Sequence, residues 1–325
     1  MKPIFLFVQG GYNLGIGHIR RSLAIADCLK KHGYYNTSFV IEGPPEVMAL
    51  VTDNDFSLFD ERLLFEQREG IVIVDRKDDI TDAVNHFKDN GLKVCLVDNA
   101  TDARLYSDLV IYPIAHFRDE LDWNGYGGTK LIGSEFFPLS KEFLVFESSP
   151  LEDRRNILIT MGGADPNNLT LKVMDAIREI GNARVDIVVG ALCKHRKELS
   201  EFENSCEENW RLHYGGRSMP ELMSQAAVAI SAFGITLYEL AFMGVPTIII
   251  NNYLEDEKSA EVFARHGSAI ALGYHETVTS DEIIAAVEKL HSNTTLAMDM
   301  SNRGHCLVDG KGSERTVEAL KNLIH

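Results

Sequence analysis

The sequence predicts an α/β protein made of two doubly wound parallel-sheet domains, and three observations carry that prediction. Short β-branched apolar runs alternate with amphipathic helical stretches along the whole chain. The runs are continuously apolar, as in strands buried on both faces of a parallel sheet. At 325 residues the chain exceeds one modest core and fits two domains of about 150 residues each.

Strands are predicted at residues 4–8, 38–41, 71–74, 93–97 and 109–112, then at 157–161, 185–189, 227–231 and 246–250, with a weaker one at 268–272. Helical periodicity covers 18–32, 44–51, 79–90, 168–180, 218–225, 235–243, 256–266, 279–291 and 312–324. The opening run, Ile4-Phe5-Leu6-Phe7-Val8, breaks at Gln9-Gly10-Gly11. It is too short for a secretion-signal core and reads as the first strand. Residues from about Pro138 to Arg155 mix charges, contain Ser148-Ser149-Pro150 and lack periodicity, which marks a linker. The expected domains are therefore 1–150 and 151–325. The second is drawn to include the last helix, although that helix could pack on either domain.

Apolar content of 45% and charged content of 25% are ordinary for a globular protein in water. A net charge of −16 argues against a nucleic-acid partner, which would call for a basic face. It leaves room for a small anionic ligand in a locally positive pocket. The five cysteines, Cys28, Cys95, Cys193, Cys206 and Cys306, are scattered with no C-x-x-C pair, as expected of reduced thiols. No run approaches the roughly 20 apolar residues that span a bilayer, so no integral membrane segment is expected and the predicted location is cytoplasmic.

Three segments carry the candidate chemistry. Leu14-Gly15-Ile16-Gly17-His18-Ile19-Arg20-Arg21 leaves the first strand and opens the first helix. A strand, a glycine turn and a helix start form a phosphate- or ligand-binding unit. His18, straight after the second glycine, sets a titratable ring where the positive end of a helix gathers ligands. Arg20, Arg21, Lys30 and Lys31 also fit the exposed face of that helix. The second segment, Gly162-Gly163-Ala164-Asp165-Pro166-Asn167-Asn168-Leu169-Thr170, again follows a predicted strand. It reads either as a diphosphate cradle or as a plain turn, with Asp165 or Asn167 as N-cap and Pro166 in the first turn. The third, Gly234-Ile235-Thr236-Leu237-Tyr238-Glu239 before Gly244-Val245-Pro246, has two readings as well. Thr236 and Glu239 could form a capping box, or Glu239 could accept from ribose hydroxyls while Gly234, Ile235 and Thr236 hold phosphate. Ligands of such folds sit beyond the carboxyl ends of the strands, so a cleft between the two domains is the default site. Asp53 with Asp55, and Asp78-Asp79, read as solvated charges, and no metal-ligand cluster is evident.

Taken in order, G-x-G-H-x-x-R, GG-x-D-P-x-N-L-T and G-x-T-x-x-E-x-x-x-x-G-x-P resemble the PseG/SpsG group of nucleotide-sugar enzymes, relatives of the MurG-type glycosyltransferases with the GT-B fold. The similarity extends through Leu131-Ile132-Gly133-Ser134-Glu135-Phe136 and Phe143 and spans nearly the whole chain. It implies a GT-B fold and metal independence, with no cofactor because the nucleotide-sugar is itself the substrate. By this likeness His18 is the general base, in the neutral form that a helix N-terminus favours. Gly15, Gly17, Gly162, Gly163, Gly234, Ile235, Thr236 and Glu239 would hold the nucleotide and its phosphates. Arg21, Lys77, Asn168, Glu255 and Asp256 would line the sugar. The chain departs from the PseG pattern in three places. Gln9 stands where an aspartate is usual, Asp75-Arg76-Lys77 replaces a D-H-Y segment, and Glu255-Asp256 replaces an Asn-Gln pair. Glu255-Asp256-Glu257 also reads as the charged first turn of the next helix.

The leading expectation is a nucleotide-sugar hydrolase that releases UDP and a free amino or deoxy sugar, as in pseudaminic acid biosynthesis, with His18 activating water. Its alternative is a GT-B glycosyltransferase passing the sugar to a glycan or lipid-linked acceptor. A non-catalytic nucleotide-sugar binder and a 2-epimerase complete the set.

Overall fold

The computed structural model describes residues 2–11, 14–113, 121–203, 209–214 and 218–324. The chain divides into two compact units, residues 1–141 with 310–325, and residues 142–309.

The first unit holds a seven-stranded parallel sheet. Its strands are β1 (Ile4–Gln9), β2 (Thr37–Glu42), β3 (Ser57–Leu58), β4 (Ile71–Asp75), β5 (Lys93–Val97), β6 (Leu109–Tyr112) and β7 (Thr129–Ile132). They lie in the order β3-β2-β1-β4-β5-β6-β7. Helices α1 (Gly17–Lys31), α2 (Pro45–Thr52), α3 (Glu61–Phe65) and α4 (Thr81–Asp89) connect them, and α5 (Lys141–Leu144) follows. Alternate residues of β1 serve different faces, which is why the whole strand is apolar. Ile4, Leu6 and Val8 join Ile19, Ile25 and Leu29 of α1, whereas Phe5 and Phe7 join Leu64, Val84 and Phe87 on the other side.

The second unit repeats the plan with six parallel strands: β8 (Asn156–Thr160), β9 (Arg184–Val188), β10 (Trp210–His213), β11 (Ala226–Ser231), β12 (Thr247–Asn251) and β13 (Ala269–Tyr274). Their order is β10-β9-β8-β11-β12-β13. Helices α6 (Leu169–Arg178), α7 (Arg196–Glu203), α8 (Met219–Gln225), α9 (Ile235–Phe242), α10 (Glu257–His266), α11 (Ser280–Ser292) and α12 (Thr294–Leu307) accompany it. Both sheets thus run 3-2-1-4-5-6 in local order, with β7 as a seventh strand beyond β6 in the first, the doubly wound arrangement. Strand order reverses between β1 and β4 in one unit and between β8 and β11 in the other.

The division differs from the expected boundary at residue 150 in two respects. It falls at Lys141/Glu142, and the last helix, α13 (Gly312–Ile324), belongs to the first unit. Val317 and Leu320 are fully buried in the core that β1 and α1 share, so apolar burial carries the chain back to the first sheet. Arg315 also donates to the Glu135 carbonyl at 2.6 Å. Cys28, Cys95, Cys193 and Cys306 are free thiols, and Cys206 lies outside the described residues.

Candidate active site

The loop after β1 is closed by backbone bonds between Gly11 and Gly15 (3.0 and 2.7 Å), with Gly15 at φ +73°, a left-handed conformation that suits glycine. Helix α1 starts at Gly17, and its first turn has no side-chain cap. His18 is therefore held within that turn, and it is buried. Its Nδ1 lies 2.6 Å from Oδ1 of Asp75, the last residue of β4. This pair joins the start of α1, the helix that follows β1, to the end of β4, and β1 and β4 are the strands between which the sheet order reverses, where doubly wound folds bind their ligands.

Arg21, one turn further along α1, clamps the same carboxylate. Its Nε donates to Asp75 Oδ2 at 2.8 Å and its Nη2 to Oδ1 at 2.6 Å. Its Nη1 donates to Oδ2 of Asp98 at 3.0 Å. Burial alone would raise the Asp75 carboxyl, but the Arg21 guanidinium and His18 hold it well below the usual carboxylate range. An ionised carboxylate only accepts hydrogen bonds, so the 2.6 Å contact requires the proton on His18 Nδ1. In the neutral ring Nε2 then carries the lone pair. Among the described residues Nε2 has no hydrogen-bond partner. The arrangement is an imidazole oriented by a carboxylate, with Nε2 set as proton acceptor.

Arg21 is thus not placed as the sequence reading had it. It is 3% exposed and bonded to two carboxylates, neither a sugar contact nor part of an exposed basic face. Lys77 lies two residues past Asp75 and is exposed.

In the second unit the segment after β8 turns through Gly162, at φ +78°. Asp165 folds beneath it and accepts from Leu169 N at 2.8 Å and Thr170 N at 3.0 Å, capping α6. The turn is braced from outside: Leu192 N donates to the Gly163 carbonyl at 2.9 Å, and Asn167 Nδ2 donates to the Asn252 carbonyl at 2.9 Å. The Asn168 amide points to Glu198 of α7 at 3.0 Å, which ties it to that helix. After β11, Gly234 is the N-cap of α9, so Thr236 lies inside the helix and the capping box is not formed. Glu239, also within α9, is buried. Gly162-Gly163 and Gly234 to Thr236 follow adjacent strands, at the point where the second sheet changes direction. That geometry suits an anion held by backbone N–H groups. Glu255 and Asp256 occupy a one-turn 3-10 segment, Leu254–Asp256, leading into α10, as in the helix-start reading.

Two carboxylates escaped the sequence reading as site residues. Asp75 and Asp98 each stand at the end of an apolar strand, after Ile71-Val72-Ile73-Val74 and Val94-Cys95-Leu96-Val97. An acid ending a buried parallel strand was the available signal. Among the described residues, no group of three or more His, Cys, Asp or Glu side chains is placed to hold a metal ion. None of the described helices is long and apolar enough to cross a membrane.

No family model matches the sequence. Over 98% of its length the chain is 26% identical to the spore coat polysaccharide biosynthesis protein SpsG of Bacillus subtilis, covering 97% of that protein. Over 76% of its length it is 24% identical to the pseudaminic acid cytidylyltransferase and UDP-2,4-diacetamido-2,4,6-trideoxy-β-L-altropyranose hydrolase of Helicobacter pylori, of which it covers 44%. Among solved structures it resembles MurG of Acinetobacter baumannii, with a TM-score of 0.68 and 13% identity over 98% of this chain and 99% of that one. It also resembles S. aureus MnaA with UDP, with a TM-score of 0.72 and 12% identity over 100% of this chain and 97% of that one. The chain is an SpsG-like protein of the GT-B fold, with distant homology to the PseG-type hydrolase.

Proposed function

We propose that the protein hydrolyses a nucleotide-sugar, releasing UDP and a free amino or deoxy sugar for surface-glycan or nonulosonate biosynthesis. The observation that carries this reading is the 2.6 Å contact between His18 Nδ1 and an Asp75 carboxylate locked by Arg21. His18 Nε2 takes a proton from water as the water oxygen bonds to the anomeric carbon. The bond from that carbon to the diphosphate oxygen breaks, and UDP leaves with its electron pair, inverting the anomeric centre. Backbone N–H groups of Gly162, Gly163 and the α9 N-terminus take up the diphosphate charge. Glu239 accepts from the ribose hydroxyls. Lys77, Asn168, Glu255 and Asp256 are left to contact the sugar, since Arg21 is bonded to two carboxylates. The hydrolase named among the relatives acts on a UDP-linked diacetamido sugar, which supports this substrate class.

A second reading, transfer of the sugar to a glycan or lipid-linked acceptor, is favoured by the near-complete overlap with a polysaccharide biosynthesis protein. One assay separates the two. Purified protein is incubated with UDP-linked aminosugars, with and without acceptor, and UDP is followed. Release without acceptor that falls by about 10²–10⁴ in His18→Ala supports the hydrolase. Release only on adding acceptor supports transfer, and binding without turnover contradicts both. Glu239→Gln should weaken UDP binding; unchanged affinity would remove Glu239 from the ribose.

A further inference from the structure

Asp98 is the first residue beyond β5, which lies beside β4 in the sheet. It adopts φ +55°, a left-handed conformation that aspartate and asparagine enter more readily than other side-chain-bearing residues. Its side chain is 8% exposed, and Oδ2 accepts from Arg21 Nη1 at 3.0 Å. Arg21 does not need this second acid for its own burial, because Asp75 already takes its Nε and Nη2 together. A second carboxylate taken out of solvent, on a chain that turns left-handed as it leaves β5, therefore stands beside the His18–Asp75 pair without being needed to satisfy Arg21.

Charge balance supplies the reason. The charged group bonded to His18 is Asp75 from β4; Arg21 of its own helix stands beside the ring, Nη2 lying 3.3 Å from Nδ1, and Asp98, just past β5, is reached through Arg21. Arg21 and Asp75 alone cancel, so a ring facing that pair gains little when it takes up a proton. With Asp98 included, the cluster carries one negative charge while the ring is neutral and none once the ring is protonated.

We infer that Asp98 is a positioning residue for His18, fixing Arg21 in place and offsetting its charge so that the ring accepts a proton during turnover. This role rests on the reading of His18 as the base.

Asp98→Asn is the informative variant. Asparagine tolerates the left-handed backbone, and its carbonyl oxygen can still accept from Arg21, so the bond is kept and only the charge is lost. The acid limb of the kcat/KM profile should move to lower pH by about half a unit to one unit, and turnover at neutral pH should fall about 3- to 10-fold. The titration of the His18 ring, followed by NMR on histidine-labelled protein without substrate, should move the same way. A fall in turnover with neither the limb nor the ring titration displaced overturns the role of Asp98 and leaves His18 as the base. Wild-type turnover in His18→Ala overturns the base assignment, and the role of Asp98 with it.

Discussion

Gly190 and Gly162 are packed so closely that a methyl group on Gly190 would be driven into the Gly162 carbonyl oxygen and its Gly163 neighbour. The chain just past β9 thus forms the wall behind the turn proposed as the diphosphate cradle. Gly190→Ala has to push that turn outward, because backbone atoms cannot swing aside as a side chain would. The expected outcome is a loss of about 1–3 kcal/mol in stability and at least about tenfold weaker UDP binding by calorimetry. Stability lost with UDP affinity intact would detach the turn from the phosphates.

Asp75 makes stability depend on acid in a defined direction. Its folded carboxyl titrates well below the unfolded one, because Arg21 and His18 outweigh burial. The stability it contributes is fully present above the ordinary carboxylate range of about pH 4 and is lost progressively as pH falls toward its folded value. Asp75→Asn leaves Arg21 buried with one carboxylate, at a cost of about 3–5 kcal/mol near neutrality. Urea unfolding should show this gap at pH 7 and a narrower one at pH 3. A gap that widens toward acid would mean that Asp75 is not ionised in the folded protein.

Helix α13 follows the second unit in sequence yet belongs to the first. Leu320 is fully buried against that core, so Leu320→Ala should cost about 2–5 kcal/mol. Hydrogen exchange should locate the damage: faster exchange in β1, β4 and β5, with β8 and β11 unchanged. Faster exchange in β8 and β11 instead would put the helix with the other unit.

Apolar runs made every long strand legible in the sequence, because a strand buried on both faces leaves little room for polar residues. The short edge strands β3, β7 and β10 were not, since Ser57-Leu58 or Thr129-Lys130-Leu131-Ile132 carry too few buried residues to stand out from loops. Helix α12 was missed for a related reason: Thr294–Leu307 is polar around much of its circumference. At the site, His18 was visible because glycines frame it. Its partners were not, because Asp75 lies 57 residues away and only strand order brings the two together. Sequence alone assigns Arg21 to the surface or to the sugar, because helical spacing cannot reveal which turn faces a buried acid. The Thr236–Glu239 pair had capping-box spacing, but the helix begins at Ile235, one residue ahead of Thr236.

The most direct measurement is a double-mutant cycle on UDP release, comparing His18→Ala, Asp75→Asn and the pair under conditions where all three stay folded. If Asp75 acts by orienting the ring, the double variant is about as slow as His18→Ala alone. Losses that multiply in full would show the two side chains acting independently and contradict the imidazole–carboxylate unit.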